Sequence, residues 1–169
     1  MPEIEWPEIL LRLALAAGLT GAIGLERELR ERSAGLRTHM LVGVGSALFT
    51  IVSAYAWSDF AFGGGLTFDP TRIAAQIVTG IGFLGAGAIM RTGSGVQGLT
   101  TAATVWVNAA LGVAAGGGEY HLAIIGAAIT MIVLLVLVPI EHAIDRVAIR
   151  RGLADPNRGD QGTDRVRRD

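Results

Sequence analysis

The sequence contains no cysteine. Disulfides, thiolate metal sites and cysteine nucleophiles are therefore excluded. Lysine is absent as well, because all 14 basic residues are arginine, and no glycine-rich loop with a phosphate-binding lysine can be formed. There is no His-Glu-x-x-His and no Gly-x-Ser-x-Gly, so the catalytic motifs that carry a recognisable mechanism are missing. Charge is scarce overall. Only 17% of residues are charged, where a soluble domain carries about a quarter, while 51% are apolar and mean hydropathy is positive. The net charge of −1 gives no general attraction to nucleic acid. The N-terminus, Met1-Pro-Glu-Ile-Glu-Trp6, is acidic and lacks the basic flank of a cleaved signal peptide, so the first apolar run is expected to be retained as a membrane helix.

What the chain does have is five apolar runs, at about 8–25, 38–57, 73–90, 99–115 and 122–140. Each approaches the length needed to cross hydrocarbon as a helix. Helix is the expected conformation because lipid offers the backbone no water to bond. The polar sequence left over in 169 residues is too short to enclose five buried helices. The expected fold class is all-α, a polytopic membrane protein of about five transmembrane helices. Twelve of the 14 arginines fall in the first loop, the third loop and the C-terminal segment; only Arg72 and Arg12 fall on the other side. Basic loops stay in the cytoplasm, which predicts the N-terminus outside and the C-terminus inside. The expected division is a membrane domain over 1–140, a juxtamembrane helix over 141–154 and a disordered polar tail over 155–169.

A weak internal repeat is visible. Arg32-Ser-Ala-Gly-Leu-Arg-Thr38 leads into a segment containing Ala47-Leu48, and Gly95-Val-Gln-Gly-Leu-Thr-Thr101 leads into one containing Ala110-Leu111. Helices starting in this way would run parallel. Small residues are dense on two helices: Ala14, Gly18 and Ala22 on the first, Gly80, Gly82, Gly85 and Gly87 on the third. Such positions let helix backbones approach in lipid, and they read as bundle packing or as a homodimer face.

Polar residues within the spans are few. Gln76 and Thr79 lie on the third helix, and Thr104 and Asn108 share a face of the fourth; each is a functional candidate or an interhelical hydrogen-bonding group. No acidic residue falls at mid-membrane, which argues against a proton-coupled pump. The densest polar stretch is the first loop, where Glu26, Arg27, Arg37 and His39 gather at the ends of helices one and two. It reads either as a basic loop on lipid headgroups or as an ion-pair network under the bundle. Asp69, followed by Pro70, is placed to cap the third helix. As metal ligands on the outer side only Asp59, Asp69 and Glu119 are available, Asp69 and Glu119 being the candidates, with no motif to group them. His39, His121 and His142 lie at separate helix ends and form no metal cluster by spacing.

With these residues in view the sequence resembles the MgtC/SapB family of bacterial inner-membrane proteins. The runs that carry the resemblance are Gly24-Leu-Glu-Arg-Glu28, Ala34-Gly-Leu-Arg-Thr-His39, Gln76-Ile-Val-Thr-Gly-Ile-Gly-Phe-Leu-Gly-Ala-Gly87 and Gly98-Leu-Thr-Thr-Ala-Ala-Thr-Val-Trp106, and it covers about residues 10–139. It implies a five-helix domain in the cytoplasmic membrane. It also implies a role in magnesium homeostasis, stress response and virulence, meaning survival under low magnesium, acid or intracellular stress. The resemblance further implies no cofactor and no enzyme. The implied action is to bind another membrane protein, the membrane part of the F-type ATP synthase being the partner proposed for some members. Carried over position by position, the candidate functional residues are Glu26, Arg27, Arg37, Thr38, Gln76, Thr100, Thr101 and Asn108. The chain departs from many members in having only about thirty residues after the fifth helix, where they add a soluble cytoplasmic domain. The alternative function is a cation (magnesium) transporter or channel, suggested by the repeat and by Gln76 and Asn108.

Overall fold

The structure is a computed structural model that describes residues 4–56, 69, 71–92 and 95–150. Five long helices account for nearly all of these residues: α1 (Trp6–Leu29), α2 (Leu36–Tyr55), α3 (Thr71–Ala88), α4 (Leu99–Gly117) and α5 (Tyr120–Arg150). At 1.5 Å per residue, α1, α2 and α4 are about 36, 30 and 28 Å long, the thickness of a hydrocarbon layer. Among the described residues four helices are long and apolar enough to cross a membrane: α1, α2, α4 and Tyr120–Leu137 of α5. The fold is thus all-α and polytopic, as the apolar runs predict. The third run does form a helix, α3, but falls outside those four. Arg72, Gln76, Thr79 and four glycines dilute its apolar character.

The chain divides into two compact units, Met1–Thr130 and Met131–Asp169. In the first, α1, α2 and α4 form a tight three-helix core in which small residues set the spacing. A Cβ at Gly112 of α4 would collide with the Gly43 carbonyl of α2 and stand 2.8 Å from Ser46 Cβ. One at Gly116 would stand 2.5 Å from the Ala47 carbonyl oxygen. The pairs Gly43·Gly112 and Ala47·Gly116 ascend together, so α2 and α4 run parallel, as the Gly-Leu-x-Thr starts suggest. Thr20 of α1 fills the space above Gly43, and Gly24 lies against Leu36 and His39. Ala16, Ala47, Ala115 and Ala123 continue this packing as a buried alanine cluster. Close backbone approach of this kind supplies dispersion contacts where lipid gives no hydrophobic drive.

Of the small residues read as bundle packing or a homodimer face, Gly85 is buried against Ala102 and the others are exposed. Ala14, Gly18 and Ala22 are exposed, because the buried stripe of α1 is Arg12, Ala16, Thr20, Ile23 and Arg27, two positions away. On α3, Gly80, Gly82 and Gly87 are exposed with open space at Cβ, and only Ile81 and Gly85 are buried. The correction is one of helical phase: spacing finds a stripe of small residues, but the buried face of α1 is fixed by the bulkier and polar side chains that α2 and α4 accept.

Among the described residues the α1–α2 and α4–α5 connections are short. Gly35 begins α2 without a side-chain cap of its own, and Glu28 of α1 supplies one by accepting the Leu36 amide at 3.0 Å. Between the third and fourth apolar runs, where the sequence offers only a loop, two short strands pair antiparallel, β1 (Met90–Thr92) and β2 (Gly95–Gln97), with Arg91 opposite Val96. Gly98 then opens α4 at φ 87°, a left-handed conformation available to glycine at little cost. Gly118 closes α4 in the same region, with Glu119 N donating to the Ala114 carbonyl at 2.9 Å, a Schellman-type cap. α5 is unbroken to Arg150, so 141–150 continues that helix. Within the second unit, Ile132, Leu135 and Val136 are exposed. Most of the outer loop expected at 58–72, and the tail expected at 155–169, lie outside the described residues.

Candidate functional site

The interior of the three-helix core is unusually polar. Arg12, Thr20, Glu26 and Arg27 of α1, His39, Ser46, Thr50 and Ser53 of α2, and Thr101, Thr104 and Asn108 of α4 are all buried. A membrane interior tolerates such groups only when they are bonded. Several hydroxyls turn back on their own helices: Thr20 donates to the Ala16 carbonyl at 2.6 Å and Thr50 to the Ser46 carbonyl at 2.8 Å. Most of the rest gather into two clusters at opposite ends of the core.

At one end, Arg12 (9% exposed) is held on every side. Its Nε donates to Glu8 Oε1 at 2.9 Å, and its Nη1 donates to the Gly116 carbonyl at 2.8 Å and the Tyr55 hydroxyl at 3.3 Å. The guanidinium lies 5.6 Å from the centroid of the Tyr55 ring, within cation–π range. Glu8 also accepts from the Tyr120 hydroxyl. This cluster ties α1, α2, α4 and α5 together. Sequence reasoning assigned Arg12 only a side of the membrane; an arginine in the phase of the buried stripe was the signal available.

The other cluster is about 22 Å away along α1, fifteen residues at 1.5 Å each. Arg27 (4% exposed) donates from Nη2 to Thr101 Oγ1 at 3.2 Å. Its neighbour Glu26 pairs with Arg30, one turn on. Thr104 Oγ1 donates to the Thr101 carbonyl at 2.8 Å, and Asn108 Nδ2 donates to the Thr104 carbonyl at 2.8 Å. His39 Nδ1 donates to the Gly35 carbonyl at 2.8 Å, and its Nε2 lies 3.3 Å from Thr104 Oγ1. Three buried groups keep unused capacity: Arg27 Nε, Asn108 Oδ1 and the Glu26 carboxylate, which accepts no hydrogen bond beyond its ion pair. Each such group costs about 1–3 kcal/mol, and natural structures keep them where something else is bound or moves.

Of the eight carried-over candidates, Glu26, Arg27, Thr101 and Asn108 belong to this cluster. Arg37, Thr38 and Thr100 are exposed beside it at the starts of α2 and α4, and Gln76 is exposed on α3. His39, grouped in the sequence with Glu26 and Arg27 at the ends of the first two helices, and Thr104, which shares a face with Asn108, also join the cluster. Among the described residues no three histidine or acidic side chains come together to hold a metal. Asp69 caps α3: its Oδ1 accepts the Thr71 amide at 2.9 Å and the Thr71 hydroxyl at 2.6 Å, and these bonds hold its carboxyl below the usual carboxylate range. Glu119 is exposed.

Beside the core, α3 leaves two apolar grooves. One, of about 420 Å³, lies between α2 and α3, with Phe49, Ser46, Gln76 and Gly80 in its walls. The other, of about 430 Å³, is lined by Thr50, Ile77, Trp106 and Leu122.

The chain matches the model of the MgtC family over residues 13–143. It is 53% identical over 127 residues to the Escherichia coli K12 protein named "Putative magnesium transporter YhiD", covering 75% of this chain and 59% of that one. It is 48% identical over 134 residues to Protein MgtC of Salmonella typhimurium, 79% of this chain and 53% of the relative. With Protein MgtC of Brucella abortus it shares 43% over 154 residues, 89% of this chain and 61% of the relative. The matched part is thus little more than half the length of these relatives. No solved structure matches the chain. The matched residues hold the Arg27 cluster and begin just after Arg12; the chain belongs to the MgtC family, multi-pass proteins of the bacterial inner membrane.

Proposed function

We propose that this chain is a non-enzymatic membrane regulator in adaptation to low magnesium, acid or intracellular stress, and that it acts by binding another membrane protein. The observation that carries the reading is the state of α3. Only Ile81 and Gly85 of that helix are buried, while Gln76, Gly80, Phe83 and Gly87 are exposed, the first two in the wall of the apolar groove beside α2. A helix that displays glycines and one amide outward has the surface that transmembrane partners use for close packing. The membrane part of an F-type ATP synthase is the partner that the family resemblance implies. The arginine distribution supports the orientation with the Arg27–Arg37 connection in the cytoplasm.

A photo-crosslinker at Phe83, which is 82% exposed, tests this in membranes of magnesium-limited cells. The expected product is an adduct with the ATP synthase membrane sector, lost when Gly80 is replaced by Leu. Adducts with lipid and with the chain itself alone overturn the reading.

A second reading, cation passage, draws on the polar residues along the core and on the name of the Escherichia coli relative. Against it stand the backbone contacts at Gly112 and Gly116 and the hydroxyls committed to their own helices. Proteoliposomes that carry a cation flux dependent on Asn108 would favour passage over regulation.

A further inference from the structure

The hydrogen atoms around His39 do not add up when its ring is neutral. Three contacts form a line: Gly35 O to His39 Nδ1 at 2.8 Å, His39 Nε2 to Thr104 Oγ1 at 3.3 Å, and Thr104 Oγ1 to the Thr101 carbonyl at 2.8 Å. Both ends of the line are carbonyl oxygens, which only accept. The Gly35 carbonyl therefore requires the proton on Nδ1, and the Thr101 carbonyl takes the one hydrogen that the Thr104 hydroxyl has. The middle contact then needs a hydrogen on Nε2. A neutral imidazole and one hydroxyl supply two hydrogens for three contacts; an imidazolium supplies the third.

We propose that His39 is a proton-binding site inside the membrane domain, with the bound proton on Nε2 held against Thr104 Oγ1. The step is proton uptake alone. The Nε2 lone pair takes H⁺ from a hydronium ion, which leaves as water, and imidazole becomes imidazolium. When the proton leaves, the only way to keep the middle contact is for the Thr104 hydroxyl to rotate from the Thr101 carbonyl to Nε2. The site therefore has two discrete bonding patterns, and the change falls on the first turn of α4, where Thr101 also receives Arg27.

The surroundings fit a proton site. His39 is fully buried yet lies in the first turn of α2, about one helical turn of 5 Å from the loop end. Burial opposes a charge on the ring most strongly, the Gly35 carbonyl favours one, and the charged groups near it come from α1: Arg27, which opposes a second positive charge, and Glu26, which favours one and is itself paired with Arg30. α4 presents no titratable side chain anywhere along its length, and on α2 Arg37 points outward. On the same network Arg27 Nε is a donor without an acceptor and Asn108 Oδ1 an acceptor without a donor. Buried waters commonly satisfy such groups, and water here would give the proton its route. The site is independent of what α3 binds.

The test is nuclear magnetic resonance of the full chain in lipid nanodiscs, with ¹⁵N-labelled histidine assigned through His39→Gln. The expected result is an Nδ1 that keeps its proton throughout and an Nε2 that gains one within about pH 5–8. Thr104→Ser should preserve that titration. Thr104→Val, which removes the oxygen that receives the Nε2 proton, should weaken proton affinity about tenfold. An Nε2 that stays unprotonated across this window overturns the proposal, as does a titration that Thr104→Val leaves unmoved. Because the readout is the ring nitrogen, failure here leaves the crosslinking test at Phe83 unaffected, and the reverse also holds.

Discussion

Two arginines, Arg12 and Arg27, sit on the same face of α1, each nine-tenths buried, at opposite ends of the same three helices. Arg12 is saturated: a carboxylate, a main-chain carbonyl, a hydroxyl and an aromatic ring surround it. Arg27 has one threonine hydroxyl, and the carboxylate next to it in sequence pairs with Arg30 instead. The first arrangement is a clamp, since every donor it uses closes a helix–helix contact. The second retains bonding capacity inside a low-dielectric core, where that capacity is costly. Burial of a guanidinium does not by itself indicate function; the unspent valence around it does.

The largest expected effect lies between the two ends and should remove the comparison altogether. Gly112→Leu drives a side chain into the α2 backbone and should destabilise the protein by about 3 kcal/mol or more, read as a lower thermal unfolding temperature in detergent and loss of the monodisperse species. Next comes Arg12→Ala, which breaks four contacts of the clamp and should cost about 2 kcal/mol. Arg27→Ala should cost less, about 1 kcal/mol, close to the usual worth of a hydrogen bond between membrane helices, while abolishing the cellular phenotype. Equal stability losses for the two arginine variants would show that both ends are merely structural. The smallest effect belongs to the α3 cap. The folded-state pKa of Asp69 is depressed, so its contribution is present above the unfolded carboxylate range and is lost as pH falls through the folded value. Asp69→Ala should lower the unfolding temperature slightly at pH 7, and the difference from the parent chain should shrink below about pH 4.

The sequence made the membrane helices legible because lipid imposes a simple rule, length and apolarity, that residues satisfy one at a time. Glu26, Arg27 and Asn108 stood out for a related reason, as polar groups within or at the ends of apolar runs, while Thr101 came only from the family resemblance; the structure places all four in one buried cluster. Exposed Arg37, Thr38, Thr100 and Gln76 share the same local sequence and were indistinguishable from them until the helices were packed. Gly112 and Gly116 were passed over in favour of Ala14, Gly18 and Ala22, although both sets have four-residue spacing. Spacing defines a stripe but says nothing about which stripe meets another helix.

By itself, then, the amino-acid sequence determined that this chain crosses a membrane as helices and which side chains would be costly to bury. Tertiary structure decided which costs were met. That Arg12 finds Glu8, Tyr55 and Gly116 while Arg27 is left with Thr101, and that His39 Nε2 faces Thr104 Oγ1, depends on the rotation and height of α2 and α4 against α1. Those are fixed by backbone contact at Gly43, Gly112 and Gly116, residues whose lack of a side chain leaves no mark in any pattern of polarity.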